Sequence, residues 1–138
     1  MKFFLILILF SSFSYAGGTV KQLPDYMQVH KLYLSMACID EQTQQDMDAC
    51  GKKSLSRAVK KMDDLLTALK KNYKTSEPEL FKSLEASQVA WVNYKDASCK
   101  LETHYSRESS AFESILNGCL EIKINERISY LSWLADNP

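Results

Sequence analysis

Apolar side chains recur every three to four positions along most of the chain, a spacing typical of amphipathic helices. The longest run of this kind begins behind Thr43, a good N-cap residue, and continues to about Tyr73. Before it, the pattern indicates a lead-in over residues 17–24 and a short helix over residues 25–36. No strand-like alternation interrupts the chain, apart from an ambiguous stretch over residues 120–124.

Two further long helices follow, and each starts at a capping signal. Ser76 is predicted to cap the second helix, which has Pro78 in its first turn and an apolar stripe that runs to Cys99. Ser110 is predicted to cap the third helix, which runs to Leu134. Short connections make neighbouring helices antiparallel. We therefore predict an all-α fold: a small antiparallel helical bundle of three long helices, with or without a short N-terminal fourth.

The start of the chain has the order of a secretory signal peptide. Lys2 supplies a positive charge, the apolar run FFLILILF follows, and the small residues Ser14 and Ala16 suit a cleavage site. The apolar run is too short to span a bilayer, which takes about 20 residues. We therefore expect cleavage after Ala16, no membrane anchor, a periplasmic or secreted protein, and a helical domain over residues 38–138.

In an exported chain the cysteines are expected to form disulfides, because an oxidising compartment allows them to pair. Cys38, Cys50, Cys99 and Cys119 allow three different pairings. We favour the local pairs Cys38–Cys50 and Cys99–Cys119. The second bond would crosslink the hairpin of the second and third helices around residues 104–109, and the first would attach the incoming chain to the first helix.

Composition and charge exclude several classes of function. The 17 basic and 17 acidic residues give a net charge of zero, without the basic excess of a nucleic-acid binder. An Asp-x-Asp sequence at residues 46–48 opens like a calcium loop, but Cys50 and Arg57 occupy positions that require oxygen ligands. No C-x-x-C, H-E-x-x-H or G-x-S-x-G motif is present. We predict no metal, no cofactor and no catalytic residue, and so a protein that is not an enzyme.

Charge is nevertheless unevenly placed along the chain. Residues 38–50 carry acids and no base, whereas residues 52–74 are strongly basic. One interpretation is that these charges match the dipole of the first helix. The other is an acidic patch that meets a basic protein partner. Many lysozymes are strongly basic. The turn at residues 73–76 is one candidate binding loop. The other candidate partner-binding residues lie in the acidic patch and in the loop before the third helix: Asp40, Glu41, Asp46, Asp48, His104, Tyr105, Arg107 and Glu108.

Several motifs together match a known family. They are Cys38-x4-Thr43-Gln44-x2-Met47-Asp48-x-Cys50, Ala86-x-Gln88-x-Ala90-Trp91-x2-Tyr94-x-Asp96-x2-Cys99, Cys119-Leu120 and Arg127-x3-Leu131. In this combination, over about residues 38–134, the chain resembles the lysozyme inhibitor LprI-like N-terminal domain family. The resemblance implies a small, helical, exported bacterial protein, and it makes lysozyme inhibition the expected activity.

The matching residues are those of a scaffold rather than of an inhibitory loop. We expect Gln88, Trp91, Asp96 and Arg127 to hold the second and third helices together, with Asp96 and Arg127 as an ion pair between them. The chain also departs from the family pattern, since Asp48 stands where the family usually has Asn.

Two hypotheses of function follow from the sequence, and both require a protein partner. In the first, the protein blocks a cell-wall hydrolase, lysozyme or another peptidoglycan hydrolase, by covering its carboxylate-lined cleft. In the alternative, it is an immunity or adaptor protein for another envelope enzyme or toxin. A neighbouring gene for a secreted peptidoglycan hydrolase would favour the alternative.

Overall fold

The computed structural model describes residues 38–137, and within them the chain is helical without any strand. A 3-10 turn at Cys38–Asp40 precedes the first helix, and a second at His104–Ser106 lies between the last two helices. The three α-helices are α1 (Gln44–Ser76), α2 (Pro78–Glu102) and α3 (Phe112–Asp136). The predicted all-α bundle of three long helices is confirmed.

Three sequence predictions fall outside the part of the chain that the structure describes. They are the signal peptide with its cleavage after Ala16, the lead-in over residues 17–24 and the short helix over residues 25–36. All three stay predictions. In residues 38–137, none of the helices has the length and apolarity needed to cross a bilayer.

Helix α1 begins where the sequence predicts, behind Thr43. The Thr43 hydroxyl accepts a hydrogen bond from the backbone N–H of Asp46 at 3.1 Å and donates one to the Asp46 carboxylate at 2.6 Å. This arrangement satisfies one of the backbone donors that every helix start leaves open. The carboxylate also lies in the first turn, where the helix dipole favours negative charge.

The capping predictions for the other two helices are wrong. Ser76 is the last residue of α1, and its hydroxyl donates to the carbonyl of Asn72 at 3.0 Å instead of capping α2. Only Glu77 separates α1 from α2, so no loop protrudes at residues 73–76 and that candidate binding loop does not exist. Helix α3 begins behind Ala111 without a side-chain cap, because a turn bond already connects the N–H of Phe112 to an earlier carbonyl.

Helices α1 and α3 are parallel and form the main packing contact of the bundle. Asp48 meets Ser114 near the start of both helices, and Ser54 donates to Glu121 at 2.7 Å about two turns further along. Because both numbers rise together, the two helices run in the same direction. Helix α2, which connects them in sequence, runs in the opposite direction, so each sequential pair is antiparallel, as predicted.

The hydrophobic core lies chiefly between α1 and α3, and α2 adds little to it. Only Leu84 of α2 belongs to the central cluster, and most of the remaining surface of α2 is exposed. The buried members of that cluster are Ala58, Met62, Leu66, Leu69, Tyr73, Leu84, Ile124, Ile128 and Leu131. A helix with so few buried residues needs further attachments to the other two.

The domain has two disulfides, in the local pairing that the sequence favours, and one of them attaches α2. Cys38 and Cys50 join the first 3-10 turn to α1, with their Cα atoms 5.8 Å apart. Cys99 and Cys119 join the end of α2 to α3, with their Cα atoms 5.7 Å apart. The predicted pairing is therefore confirmed, and all four cysteines are used.

Candidate functional site

The predicted partner-binding residues lie together at one end of the bundle. Because α1 and α3 are parallel, both helices start at this end. The side-chain amide of Gln44 donates to the Ser114 hydroxyl at 3.0 Å, which places the first turn of α1 beside the first turn of α3. We call this end, formed by residues 38–50 and 99–119, the loop end.

The four acidic residues of the patch differ in what they contact. Asp40 and Glu41 are exposed, and Asp46 is exposed but also takes part in the cap of α1. Asp48 is half-buried and accepts hydrogen bonds from the Ser114 hydroxyl and from the Gln44 amide at 2.8 Å. The acidic patch is therefore partly a structural feature, which joins α1 to α3.

The contacts of Asp48 change its acidity. The hydrogen bond from Ser114, and secondarily that from Gln44, stabilise the charged carboxylate and hold the pKa of Asp48 below its ordinary value. Asp48 is thus ionised at neutral pH. Its charge adds to those of Asp40, Glu41 and Asp46 at the loop end.

A series of tight turns forms the connection between α2 and α3. The N–H of Ser106 donates to the carbonyl of Thr103 at 3.0 Å, that of Ser109 to Ser106 at 2.9 Å, and that of Phe112 to Ser109 at 3.2 Å. Thr103 is buried, and its hydroxyl donates to the carbonyl of Cys99 at 2.7 Å. The loop is thus anchored to a disulfide-bonded residue at the end of α2.

Tyr105 projects from this loop into solvent. Its side chain is 98% exposed, the most exposed of the large hydrophobic residues in the described part of the chain. Its only ring contact there is with His104, edge to face, with the ring centroids 5.1 Å apart. Arg107 and Glu108 follow in the same loop, and both are exposed.

An open groove of about 330 Å³ runs between α2 and α3 beside the loop. Phe112, Leu116 and Leu120 line it, together with the charged side chains of Asp96, Lys100 and Arg107. Phe112, Leu116 and Leu120 lie at intervals of four residues, on a different face of α3 from the one packed on α1. That spacing was a signal for the groove in the sequence, and our sequence analysis missed it.

The motif residues Gln88, Trp91 and Arg127 form a cluster further along the bundle. The Nε of Arg127 donates to Gln88 Oε1 at 3.0 Å, and its Nη2 donates to the Ser87 hydroxyl at 3.0 Å. The guanidinium also lies over the ring of Trp91, 5.6 Å from its centroid, as in a cation–π contact. These contacts fix the register of α2 against α3.

The sequence model of the family described as lysozyme inhibitor LprI matches residues 36–131. The chain belongs to the LprI lysozyme inhibitor family. The match contains all of α1 and α2 and most of α3, and so both disulfides, the loop end and the motif cluster. No curated protein and no solved structure matches the chain.

In this LprI-family protein, one of the four motif residues does not have the contact that we predicted. Asp96 pairs with the neighbouring Lys95, and its side chain is mostly exposed, so the expected ion pair with Arg127 is wrong. The antiparallel register explains the difference. It places Ser87 and Gln88 opposite Arg127, and Asp96 lies about 12 Å further along the axis of α2.

Arg127 is nearly buried, although the partners that the structure gives it within residues 38–137 are neutral oxygens and aromatic rings. Burial lowers the pKa of its guanidinium below the ordinary value for arginine, which still leaves it charged at neutral pH. Across the same residues, no group of three or more His, Cys, Asp or Glu side chains is arranged to hold a metal ion.

Proposed function

We propose that this LprI-family protein is an exported, non-enzymatic inhibitor that binds a lysozyme-type hydrolase and covers its catalytic cleft. Family membership over residues 36–131 is the observation that carries this proposal, because the match spans nearly all of the folded part. The partner is then a peptidoglycan hydrolase such as lysozyme.

The location that we propose is the periplasm or the extracellular space, reached through the predicted signal peptide. Two disulfides in so small a domain support an oxidising compartment, where lysozyme also acts. Both bonds belong to the loop end. They support its function as a rigid binding surface, because a preorganised surface loses little conformational freedom on binding.

The charge of the loop end supports a basic partner. Asp40, Glu41, Asp46 and Asp48 all lie there, and opposite charges on two partners speed their encounter and orient them. This favours lysozymes, which are often strongly basic. The attraction should weaken as ionic strength rises, since salt screens exposed charges.

The test is the initial rate of peptidoglycan hydrolysis by purified lysozymes of different classes, measured with increasing amounts of the exported protein. We expect the rate to fall, and we expect excess substrate to restore it, because substrate and inhibitor compete for one cleft. The same protein, reduced and alkylated so that neither disulfide can form, is the control. Unchanged rates at micromolar concentrations against every class would contradict the proposed function.

A further inference from the structure

We propose that the loop between α2 and α3 enters the glycan-binding cleft of the hydrolase, with Tyr105 as its main contact residue. This inference rests on the proposed function and adds the surface that performs it. The occupant to which it commits is the carboxylate-lined cleft of a basic glycan hydrolase.

The exposure of Tyr105 is the first observation behind this inference. A tyrosine that is 98% exposed leaves a large apolar surface in water and contributes little to the fold. Leu101, in the last turn of α2, is also 77% exposed. Tyrosines of this kind dominate many protein interfaces once a partner buries them.

The rigidity of the loop is the second observation. Turn bonds connect Thr103 to Ser106, Ser106 to Ser109 and Ser109 to Phe112, and the Cys99–Cys119 disulfide crosslinks the helices at its base. The backbone position of Tyr105 is therefore set before any partner arrives. A side chain presented in this way binds without the cost of ordering a flexible segment.

The loop has one basic and one acidic exposed side chain, Arg107 and Glu108, and the basic one suits a carboxylate-lined cleft. A glycan hydrolase has two carboxyl groups in its cleft. Arg107 is exposed two residues after Tyr105, and its guanidinium can bind a carboxylate with two parallel hydrogen bonds. Asp40, Glu41 and Asp46 are exposed on the α1 side of the loop end, where they would face the basic surface around the cleft.

The experiment compares inhibition of one lysozyme by the wild-type protein and by three single variants. We expect Tyr105→Ala to weaken inhibition at least tenfold and Arg107→Glu to weaken it by a similar factor. Tyr94→Ala is the matched control, because Tyr94 is an exposed tyrosine of α2 about three helical turns before Tyr105. We expect this control to inhibit within about twofold of the wild type. Equal melting temperatures would establish that all the proteins are folded.

The outcomes separate this inference from the function on which it rests. If the wild type inhibits and Tyr105→Ala inhibits equally well, the inference is overturned and the proposed function stands. If Tyr94→Ala loses as much inhibition as Tyr105→Ala, binding extends along α2 and the loop is not the main contact. If the Tyr105→Ala variant is monomeric and fully inhibitory while the wild type is a dimer, Tyr105 serves self-association and the inference is again overturned. No inhibition by the wild type would overturn the proposed function itself, and the inference with it.

Discussion

Among single residues, Gln88 and Arg127 connect all three helices of the bundle. Gln88 accepts from the Arg127 guanidinium of α3, and its own amide donates to the sulfur of Met62 in α1 at 3.9 Å. Arg127 in turn lies over the rings of Trp91 and Tyr130. Two polar residues thus attach α2, which buries little apolar surface, to the rest of the molecule.

Arg127→Ala should therefore destabilise the protein strongly. The change leaves a polar oxygen of Gln88 without its donor and removes the packing of a nearly buried side chain. Losses of this kind cost about 2–4 kcal/mol. Denaturant unfolding monitored by circular dichroism measures the free energy of unfolding. The control is Arg57→Ala, an exposed position on α1, where we expect a change within about 0.5 kcal/mol. Equal effects of the two substitutions would contradict a structural role for Arg127.

The lowered pKa of Asp48 predicts how the stability of the protein depends on pH. Its folded-state pKa is depressed, because Ser114 and Gln44 donate hydrogen bonds to the charged form. The stabilisation is therefore fully present above the unfolded pKa, near 4, and is lost as the pH falls through the folded pKa. Asp48→Asn keeps an acceptor oxygen but removes the titration. We expect its stability to fall less steeply than that of the wild type below about pH 4.

The measurement for Asp48 is denaturant unfolding at neutral pH and at several values below pH 4. Asp63→Asn, which removes an exposed carboxylate on the same helix, is the control and should keep the acid dependence of the wild type. If Asp48→Asn and the wild type lose stability in parallel, the hydrogen bonds of Asp48 do not contribute in the way that we describe.

The contacts of individual side chains were harder to predict from the sequence than the residues involved. Gln88, Trp91 and Arg127 were identified as a scaffold, and the structure brings them together. The predicted partner of Arg127, Asp96, was wrong, because we expected a charged side chain to pair with one of opposite charge. The actual partner depends on the register between α2 and α3, which periodicity within each helix does not define.

At the scale of helices and their crosslinks, the pattern of apolar residues was sufficient to predict the number of long helices and their order. The start of α1 was predicted at Thr43 because its capping residue and the apolar pattern agree. The starts of α2 and α3 were misplaced because Ser76 and Ser110 each have a local signal that the backbone does not use. Helix α1 continues through Ser76, and the parallel packing of α1 on α3 involves helices that are not adjacent in sequence.

The Cys99–Cys119 disulfide should contribute a large part of the stability, because it joins α2 to α3 across 20 residues. Replacing both cysteines by Ala should lower the free energy of unfolding by roughly 2–5 kcal/mol. Thermal or denaturant unfolding under oxidising conditions measures the loss. Reductant should lower the stability of the wild type and should have a smaller effect on the variant, which keeps only Cys38–Cys50. A variant as stable as the wild type would contradict this role of the bond.

At the scale of the whole molecule, the fold brings segments that are distant in sequence to one end. Residues 40–48 and 104–108 were proposed as partner-binding from charge and loop position alone, and the parallel arrangement of α1 and α3 places both segments at the same end of the bundle. The sequence did not predict this proximity, since it depends on how α1 and α3 pack. It also did not predict that Tyr105 would be the most exposed large hydrophobic residue of the described chain.

Inhibition by the proposed mechanism requires the protein to cover the glycan-binding cleft of its hydrolase. The most direct measurement is the affinity of the protein for a lysozyme whose cleft is already filled with a short oligosaccharide of the peptidoglycan sugars. Isothermal titration calorimetry at increasing oligosaccharide concentration measures this affinity. We predict that the apparent Kd rises linearly with the concentration of free oligosaccharide, and so without limit as the cleft approaches saturation, as for two ligands that exclude one another. An apparent Kd that stays constant when the cleft is saturated would contradict the account.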